Sequence, residues 1–339
     1  IAVADIPKSN MAFQKILFDF PEAISAFAYG SAVFTQESNS DMKNNMLDVV
    51  FIVDNALRWH KSNLQMNRSH YSMFARSIGP SFIASLQENL GAKMYYNTLV
   101  PWNGQMIKYG VITQTRLKED LLHWQSLYSS GRLQKPVKFL CSISDQIQSC
   151  LDTNLKHALN ASLLCLPEKF SVEDLFMQIT RLSYDGDFRM IIGENKNKVS
   201  NIVKPNIELF RKLYYSHLIN DKFIHIDKDI IIQDLNPETR FARLRQLPCN
   251  VKSRIVNWQM SWLSFQTFNN PLNEMQDAIL YSLAHNQIKT QESVQKATRS
   301  IVRYSSITQS SKGILTTGIS KSLIYSGKKL AKMLRGIFR

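Results

Sequence analysis

Seven residues, Leu47–Val53, form a nearly continuous apolar run rich in β-branched side chains and broken by one carboxylate, Asp48. Such a run fits a strand covered on both faces, so it belongs in the middle of a sheet. An ionisable group inside an apolar strand needs a partner, and a metal ion is the best candidate. Upstream, Ala26-Phe27-Ala28-Tyr29 reads as another strand, entering a turn at Gly30-Ser31. Glycine there lets the backbone approach phosphates closely, and the Ser31 hydroxyl and nearby amides can donate to them. Turn and carboxylate together are a minimal kit for gripping a metal-bound triphosphate, although Gly-Ser turns followed by an aspartate are common.

The rest of the first part alternates helical and strand signals. A helix-like run carries Phe13, Ile16 and Leu17, and residues 56–90 change to helical period, with Gly79-Pro80 dividing two expected helices. Two strands follow, at 94–99 and 105–113, joined by a turn containing Asn103-Gly104, a strong hairpin signal. This mixed α/β domain is expected to close by about residue 140. Beyond it, Ile147, Leu151, Leu155, Ala158 and Leu159 recur at helical spacing, and Ser171 with Asp174 reads as the capped start of another helix. Strands are expected at 188–192 and 199–203, then a helix opened by Pro205. Helix, helix, hairpin and helix suggest a winged-helix-like module over 141–220, with a packing role equally open. Residues 221–305 are expected to complete the fold with helices, and 306–339 to form a tail.

At 339 residues the chain exceeds the usual size of one hydrophobic core. Lys and Arg outnumber Asp and Glu by 14, which points to phosphate-rich partners such as nucleotides, nucleic acid or anionic lipid. Ten of the basic residues lie between 293 and 339, a stretch without Asp or Glu. On a helix over 319–339, Ile319, Leu323, Leu330, Leu334, Ile337 and Phe338 fall on one side. Lys321, Lys328, Lys329, Lys332, Arg335 and Arg339 fall on the other, which is the pattern of an interfacial helix on anionic lipid. A helix packed on the protein body is the alternative. No window is long and apolar enough for a transmembrane helix, so a membrane role is expected to be peripheral. Cys141, Cys150, Cys165 and Cys249 have no metal-type spacing and read as buried free thiols. Neither a leader nor a signal segment precedes the first elements, and removal of a presequence is one expectation.

Several separated segments resemble the mitochondrial CDP-diacylglycerol synthases, also called mitochondrial translocator assembly and maintenance proteins. They are Ala28-Tyr29-Gly30-Ser31-Ala32-Val33-Phe34, Met46-Leu47-Asp48, Val53-Asp54-Asn55, Trp59-His60, Asn63-Leu64 through Asn67, and Ser69-His70-Tyr71-Ser72. The resemblance continues in Tyr95-Tyr96-Asn97, Ile107-Lys108-Tyr109-Gly110-Val111-Ile112, Gly131-Arg132-Leu133-Gln134-Lys135-Pro136-Val137 and Asp187-Phe188-Arg189-Met190. It covers roughly residues 20–210 and returns at Ile301-Val302-Arg303 and Ser311-Lys312-Gly313-Ile314. It implies a nucleotidyltransferase fold that condenses CTP with phosphatidic acid, giving CDP-diacylglycerol and pyrophosphate. It also implies a peripheral enzyme at the matrix face of the mitochondrial inner membrane, bound to anionic lipids and feeding cardiolipin synthesis. Transfer to RNA and a non-enzymatic role in translocase assembly are the alternatives; no nucleic-acid partner is expected.

In-line attack of a lipid phosphate on the α-phosphorus of CTP rests on positioning and charge neutralisation. Asp48, Ser31 and Lys108 are the candidate catalytic residues, and Mg2+ is the expected cofactor. Val50 occupies the place of a second strand carboxylate. Asp54 shares strand parity with Asp48, but six residues at about 3.3 Å each put it roughly 20 Å away. Asp41, on the preceding loop, is the candidate second metal ligand, with a solvated loop position as the other reading. Tyr29, Gly30, Ser31, Arg132, Lys135 and Arg189 are candidate nucleotide contacts. His60, Asn63, Asn67 and His70, spaced three or four apart, form an expected polar strip on one helix. The resemblance favours contact with nucleotide or lipid phosphate for His60, Asn67 and His70 over a solvated face.

Overall fold

Leu47–Val53 is the central strand of a five-stranded mixed sheet, and its residues are buried except Asp48, which is half-buried. The computed structural model describes residues 15–34, 46–192, 197–262 and 272–317. Asp41 and the expected tail helix, including Lys321, Leu323, Lys328, Lys329, Leu330, Lys332, Leu334, Arg335, Ile337 and Phe338, lie outside the described residues. Two units divide the chain without following its order: residues 1–118, 137–148 and 307–339 form one, and 119–136 and 149–306 the other.

In the first unit the strands are β1 (Ser25–Tyr29), β2 (Leu47–Val53), β3 (Tyr95–Trp102), β4 (Gln105–Thr113) and β5 (Lys138–Phe139), in spatial order β3-β4-β2-β1-β5. β2 and β4 run parallel and the other pairs antiparallel. Asn103 and Gly104 take φ of 45° and 75°, the left-handed pair that a tight two-residue hairpin requires. One face of the sheet packs Val49, Phe51, Tyr109 and Val111 with Ile16, Phe20 and Trp59. Asp48 and Lys108 alternate with these residues and therefore belong to the opposite face.

Residues 56–90 form three α-helices, Ala56–Met66, Met73–Ile78 and Pro80–Asn89, with a short 3-10 turn at Arg68–His70. The expected single helix carrying His60, Asn63, Asn67 and His70 is corrected accordingly. Asn67 is the C-cap of Ala56–Met66, and His70 lies in the 3-10 turn. Asn55 and Ser72 cap their helices through side-chain oxygens, which makes the break at 67–72 a local property of the sequence.

The second unit contains the helices Val172–Arg181 and Ile207–Ile219 and most of Asp145–Leu163. Ser171 and Asp174 form a reciprocal capping box at the start of Val172–Arg181. The expected strands at 188–192 and 199–203 are instead the helices Arg189–Ile192 and Lys198–Val203. Val199 and Val203, four apart, are both buried on the latter, so their β-branched character serves a helical face. A hairpin forms later, from β7 (Ile224–Asp227) and β8 (Ile230–Gln233), and is joined by β6 (Lys169–Ser171) in the order β6-β8-β7. Pro237–Arg245, Cys249–Trp262 and Leu272–Ala284 follow. The helix Gln287–Thr317 then runs through residue 306 without a break. All four cysteines are free, but only Cys165 is buried; Cys141 and Cys150 are half-buried and Cys249 is exposed. No helix of the described residues is long and apolar enough to cross a membrane.

Candidate active site

Tyr29, Asp48 and Lys108 lie side by side on β1, β2 and β4 as one rung of the first unit's sheet. Lys108 Nζ is 3.4 Å from Asp48 Oδ1, with about a quarter of the Asp48 side chain exposed. Gly30, directly after β1, has φ of 86°, and its carbonyl accepts from the amides of Val33 and Phe34. A Cβ at Gly30 would sit 3.3 Å from Asp48 Oδ2, so glycine serves both the turn and the space beside the carboxylate. Ser31 is half-buried at the start of this turn.

Behind Lys108 stands a support that sequence reasoning missed. Its ammonium lies 4.6 Å from the centre of the Tyr96 ring. That ring crosses β4 at Gly110, where an added Cβ would fall 2.7 Å from Tyr96 Cε1. A glycine inside a strand was the available signal, because it marks close approach of another group. Gly110 thus admits Tyr96, Tyr96 carries Lys108, and Lys108 faces Asp48.

His60 and Asn63 are fully buried rather than solvated, on the sheet face opposite Asp48. His60 Nδ1 lies 2.8 Å from Tyr71 OH and Nε2 lies 2.9 Å from Gln87 Oε1. With that amide oxygen facing Nε2, the imidazole donates there and accepts from Tyr71 at Nδ1. Asn63 donates to the hydroxyls of Tyr71 and Tyr109, and Asn97 donates to Tyr109. Burial pushes the His60 pKa down to about 4, while the hydrogen bond that its ring donates to Gln87 opposes the shift. Burial also raises the Tyr109 phenol far above its ordinary range. Asn67 donates to Asn63 and to the carbonyl of Asp19, and His70 Nδ1 lies 3.3 Å from Tyr109 OH. These residues therefore bind one another beneath β4, and His60 has no surface to offer a ligand.

Arg132, Lys135 and Arg189 meet in the second unit, around a cleft of about 40 Å³ also lined by Ser183, Asp187 and Ser305. Lys135 is buried, and its ammonium donates to the Gly131 carbonyl and to Ser183 Oγ, 2.8 Å away. Burial, and to a smaller degree Arg132, push its pKa well below that of an ordinary lysine. Arg189 clasps the Asp187 carboxylate through Nε and Nη2, at 2.6 to 3.1 Å. The turn leading into the short helix that carries Arg132 is tied to Asp120, whose two oxygens accept from the amides of Ser126, Leu127 and Ser130 and from both serine hydroxyls. Two guanidiniums, Arg132 and Arg189, around the single carboxylate Asp187, with the Lys135 amine in the wall, make this an anion-attracting cleft.

Comparison with known proteins matches residues 13–332 to the family described as phosphatidate cytidylyltransferase, mitochondrial. The chain belongs to this family. The Xenopus laevis protein of that name is 46% identical over 98% of this chain and 97% of its own length. Its Bos taurus counterpart is 45% identical over 100% and 99%, respectively. The Caenorhabditis elegans protein of the same name is 37% identical over 91% of this chain and 94% of its own. Relatives so named span the chain almost end to end, so the Asp48 rung of the first unit and the cleft of the second each fall within the family match.

Among the described residues no group of three His, Cys, Asp or Glu side chains is arranged to hold a metal. Asp48 is a single carboxylate with an open place beside it that a Cβ at Gly30 would crowd. That donor set suits Mg2+, which characteristically takes one or two carboxylates and completes its shell with phosphate oxygens and water.

Proposed function

We propose that this chain is a phosphatidate cytidylyltransferase that converts CTP and phosphatidic acid into CDP-diacylglycerol and pyrophosphate. The carrying observation is the Asp48–Lys108 pair beside the Gly30 turn, in a chain whose near full-length relatives bear that activity in their names. The first unit is read as a nucleotidyltransferase domain, its turn after β1 and its carboxylate on β2 supporting that reading. The second is read as a winged helix: Asp145–Leu163, β6, Val172–Arg181, Ile207–Ile219, β7 and β8 follow in order, with strands arranged β6-β8-β7.

A lipid phosphate monoester has its second pKa near about 6, so much of it is dianionic at neutral pH and needs no protein base. One of its oxygens forms a bond to the α-phosphorus of CTP as the bond from that phosphorus to the bridging oxygen breaks, and pyrophosphate leaves. Asp48 would hold Mg2+, which would supply neutralisation of the triphosphate; Asp41 is the proposed second ligand. Lys108, with Tyr29, Gly30 and Ser31, grips the phosphates in the first unit, and Arg132, Lys135 and Arg189 of the second unit are separately proposed as nucleotide contacts. Asn67 and His70 are proposed to orient this grip from beneath the sheet. The reading also assigns the enzyme to the matrix side of the mitochondrial inner membrane, with the basic tail on anionic lipid, supplying cardiolipin synthesis.

Purified protein incubated with labelled CTP, Mg2+ and either phosphatidate vesicles or RNA tests the reaction. Label is expected in a chloroform-soluble product with phosphatidate. Label in RNA, or in neither acceptor, would overturn the reading.

A further inference from the structure

An apolar surface on the first unit takes no part in the chemistry above. The helices Met73–Ile78 and Pro80–Asn89 meet at a corner where Gly79 has φ of 90°. Around it Met73 is 75% exposed, Phe74 51%, Ile78 40% and Phe82 42%. The rings of Phe74 and Phe82 meet edge to face, 6.3 Å apart. The inner faces of the two helices are already spent, since Ala75 and Ile83 pack with Leu64, Tyr71 and Tyr95. Packing of the unit thus does not require large apolar side chains at these four positions. Exposed clusters of this kind mark interaction surfaces.

Charge indicates the partner. Residues 55–87 contain Arg58, Lys61, Arg68 and Arg76 without Asp or Glu, and Glu88, near the end of Pro80–Asn89, is paired with Arg116 at 3.1 Å. Arg58 is engaged by Asp54 at 2.8 Å, whereas Lys61 and Arg68 are exposed and Arg76 is half-buried. Aromatic and Met side chains at a helical corner, with Arg76 beside them and the flanking carboxylates Asp54 and Glu88 already paired with arginines, match the headgroup boundary of an anionic bilayer. We propose that this corner is a membrane-contact face that seats the first unit on the bilayer from which phosphatidate is drawn. The inference rests on the proposed lipid substrate, since a soluble acceptor would give no reason for a bilayer at this face. It is separate from the tail beyond residue 317.

The test uses the full chain and its Phe74→Gln/Phe82→Gln variant, with phosphatidylcholine vesicles carrying phosphatidate at about one part in four. Partition onto these vesicles is expected to fall by about tenfold or more in the variant. Turnover of a water-soluble short-chain phosphatidate should stay within about twofold of the parent. Equal vesicle partition of the two proteins would overturn the inference, as would parallel loss of soluble-substrate turnover. Failure of both proteins to use soluble phosphatidate would count against the proposed reaction, while partition still reads the membrane face. In a Phe82→Trp variant, the added emission is expected to be quenched by brominated lipid. Blue-shifted emission without vesicles would instead assign this face to another segment or a second copy, and would overturn the inference.

Discussion

Asp48 stands where two demands meet, because the strand around it is buried and the proposed reaction places a carboxylate in reach of phosphate. Lys108 at 3.4 Å offsets its charge, and Gly30 leaves the space beside it. Asp48→Asn keeps the shape and removes the charge, so turnover should fall by about a thousandfold or more while the melting temperature changes little. Activity within tenfold of the parent would remove Asp48 from the proposed chemistry. His60 belongs to stability instead. Its folded pKa of about 4 lies below the ordinary 6.5, so between those values the unfolded chain binds more protons. The neutral form's contribution is therefore complete above pH 6.5 and is lost as pH falls toward 4, by an amount of order 3 kcal/mol. Half-buried His157, also held near 4, chiefly by loss of solvent around its ring, acts with the same sign. Urea midpoints measured from pH 7.5 to 5 should fall, with a shallower fall in His60→Asn than in the parent.

At the scale of elements, the anion-attracting cleft depends on how closely one short helix approaches its neighbour. A Cβ at Gly131, in Ser129–Leu133, would overlap Ser183 Cβ, and Ser183 Oγ holds Lys135. Gly131→Ala should separate the two, costing about 1–3 kcal/mol and raising the KM for CTP more than it lowers kcat. A change in kcat alone, with KM intact, would count against a binding role for Lys135. Nothing adjacent in sequence announces this contact, since Gly131 and Ser183 meet only through the fold. Elements with a strong local period were legible: β2 from its apolar run, the β3–β4 hairpin from Asn103-Gly104, and Asp145–Leu163 from its helical spacing. Residues 188–203 misled because valines suit a strand by propensity, yet Val199 and Val203 stand four apart on one buried helical face. The β7–β8 hairpin escaped notice because Lys228-Asp229 replaces the usual glycine, although Lys228 still adopts φ of 54°. Among site residues, the Gly30 turn and Asp48 were readable from local sequence. Tyr96 and the buried partners of His60 were not, because each contact joins distant segments.

For the whole molecule, the decisive fact is that the first unit is closed by residues from the chain's end. Gln309 accepts from the Ala92 amide at 3.0 Å and donates to the Met94 carbonyl at 3.3 Å, bracketing the entry to β3. Gly91, with φ of 57°, passes so close to Gln309 that an added Cβ would meet its Oε1 at 2.7 Å. Lys312 Nζ donates at 2.7 Å to the Leu90 carbonyl, at the C-cap of Pro80–Asn89, which also accepts from the Lys93 amide. β5 adds an edge to β1 from residues 138–139, so the sheet also waits on sequence beyond the first 118 residues. A fragment of residues 1–136 therefore carries β1 to β4 and lacks β5, Gln309 and Lys312. It should show no cooperative thermal transition by circular dichroism, whereas the full chain should show one. In the full chain, Gln309→Leu leaves the Ala92 amide and Met94 carbonyl without that partner and should cost about 1–3 kcal/mol. A fragment that melted cooperatively at the parent's temperature would mean that the terminal helix merely rests on a unit already complete. Loss of the transition in the fragment, with partial loss of stability in Gln309→Leu, would instead tie formation of the Asp48 site to completion of the chain.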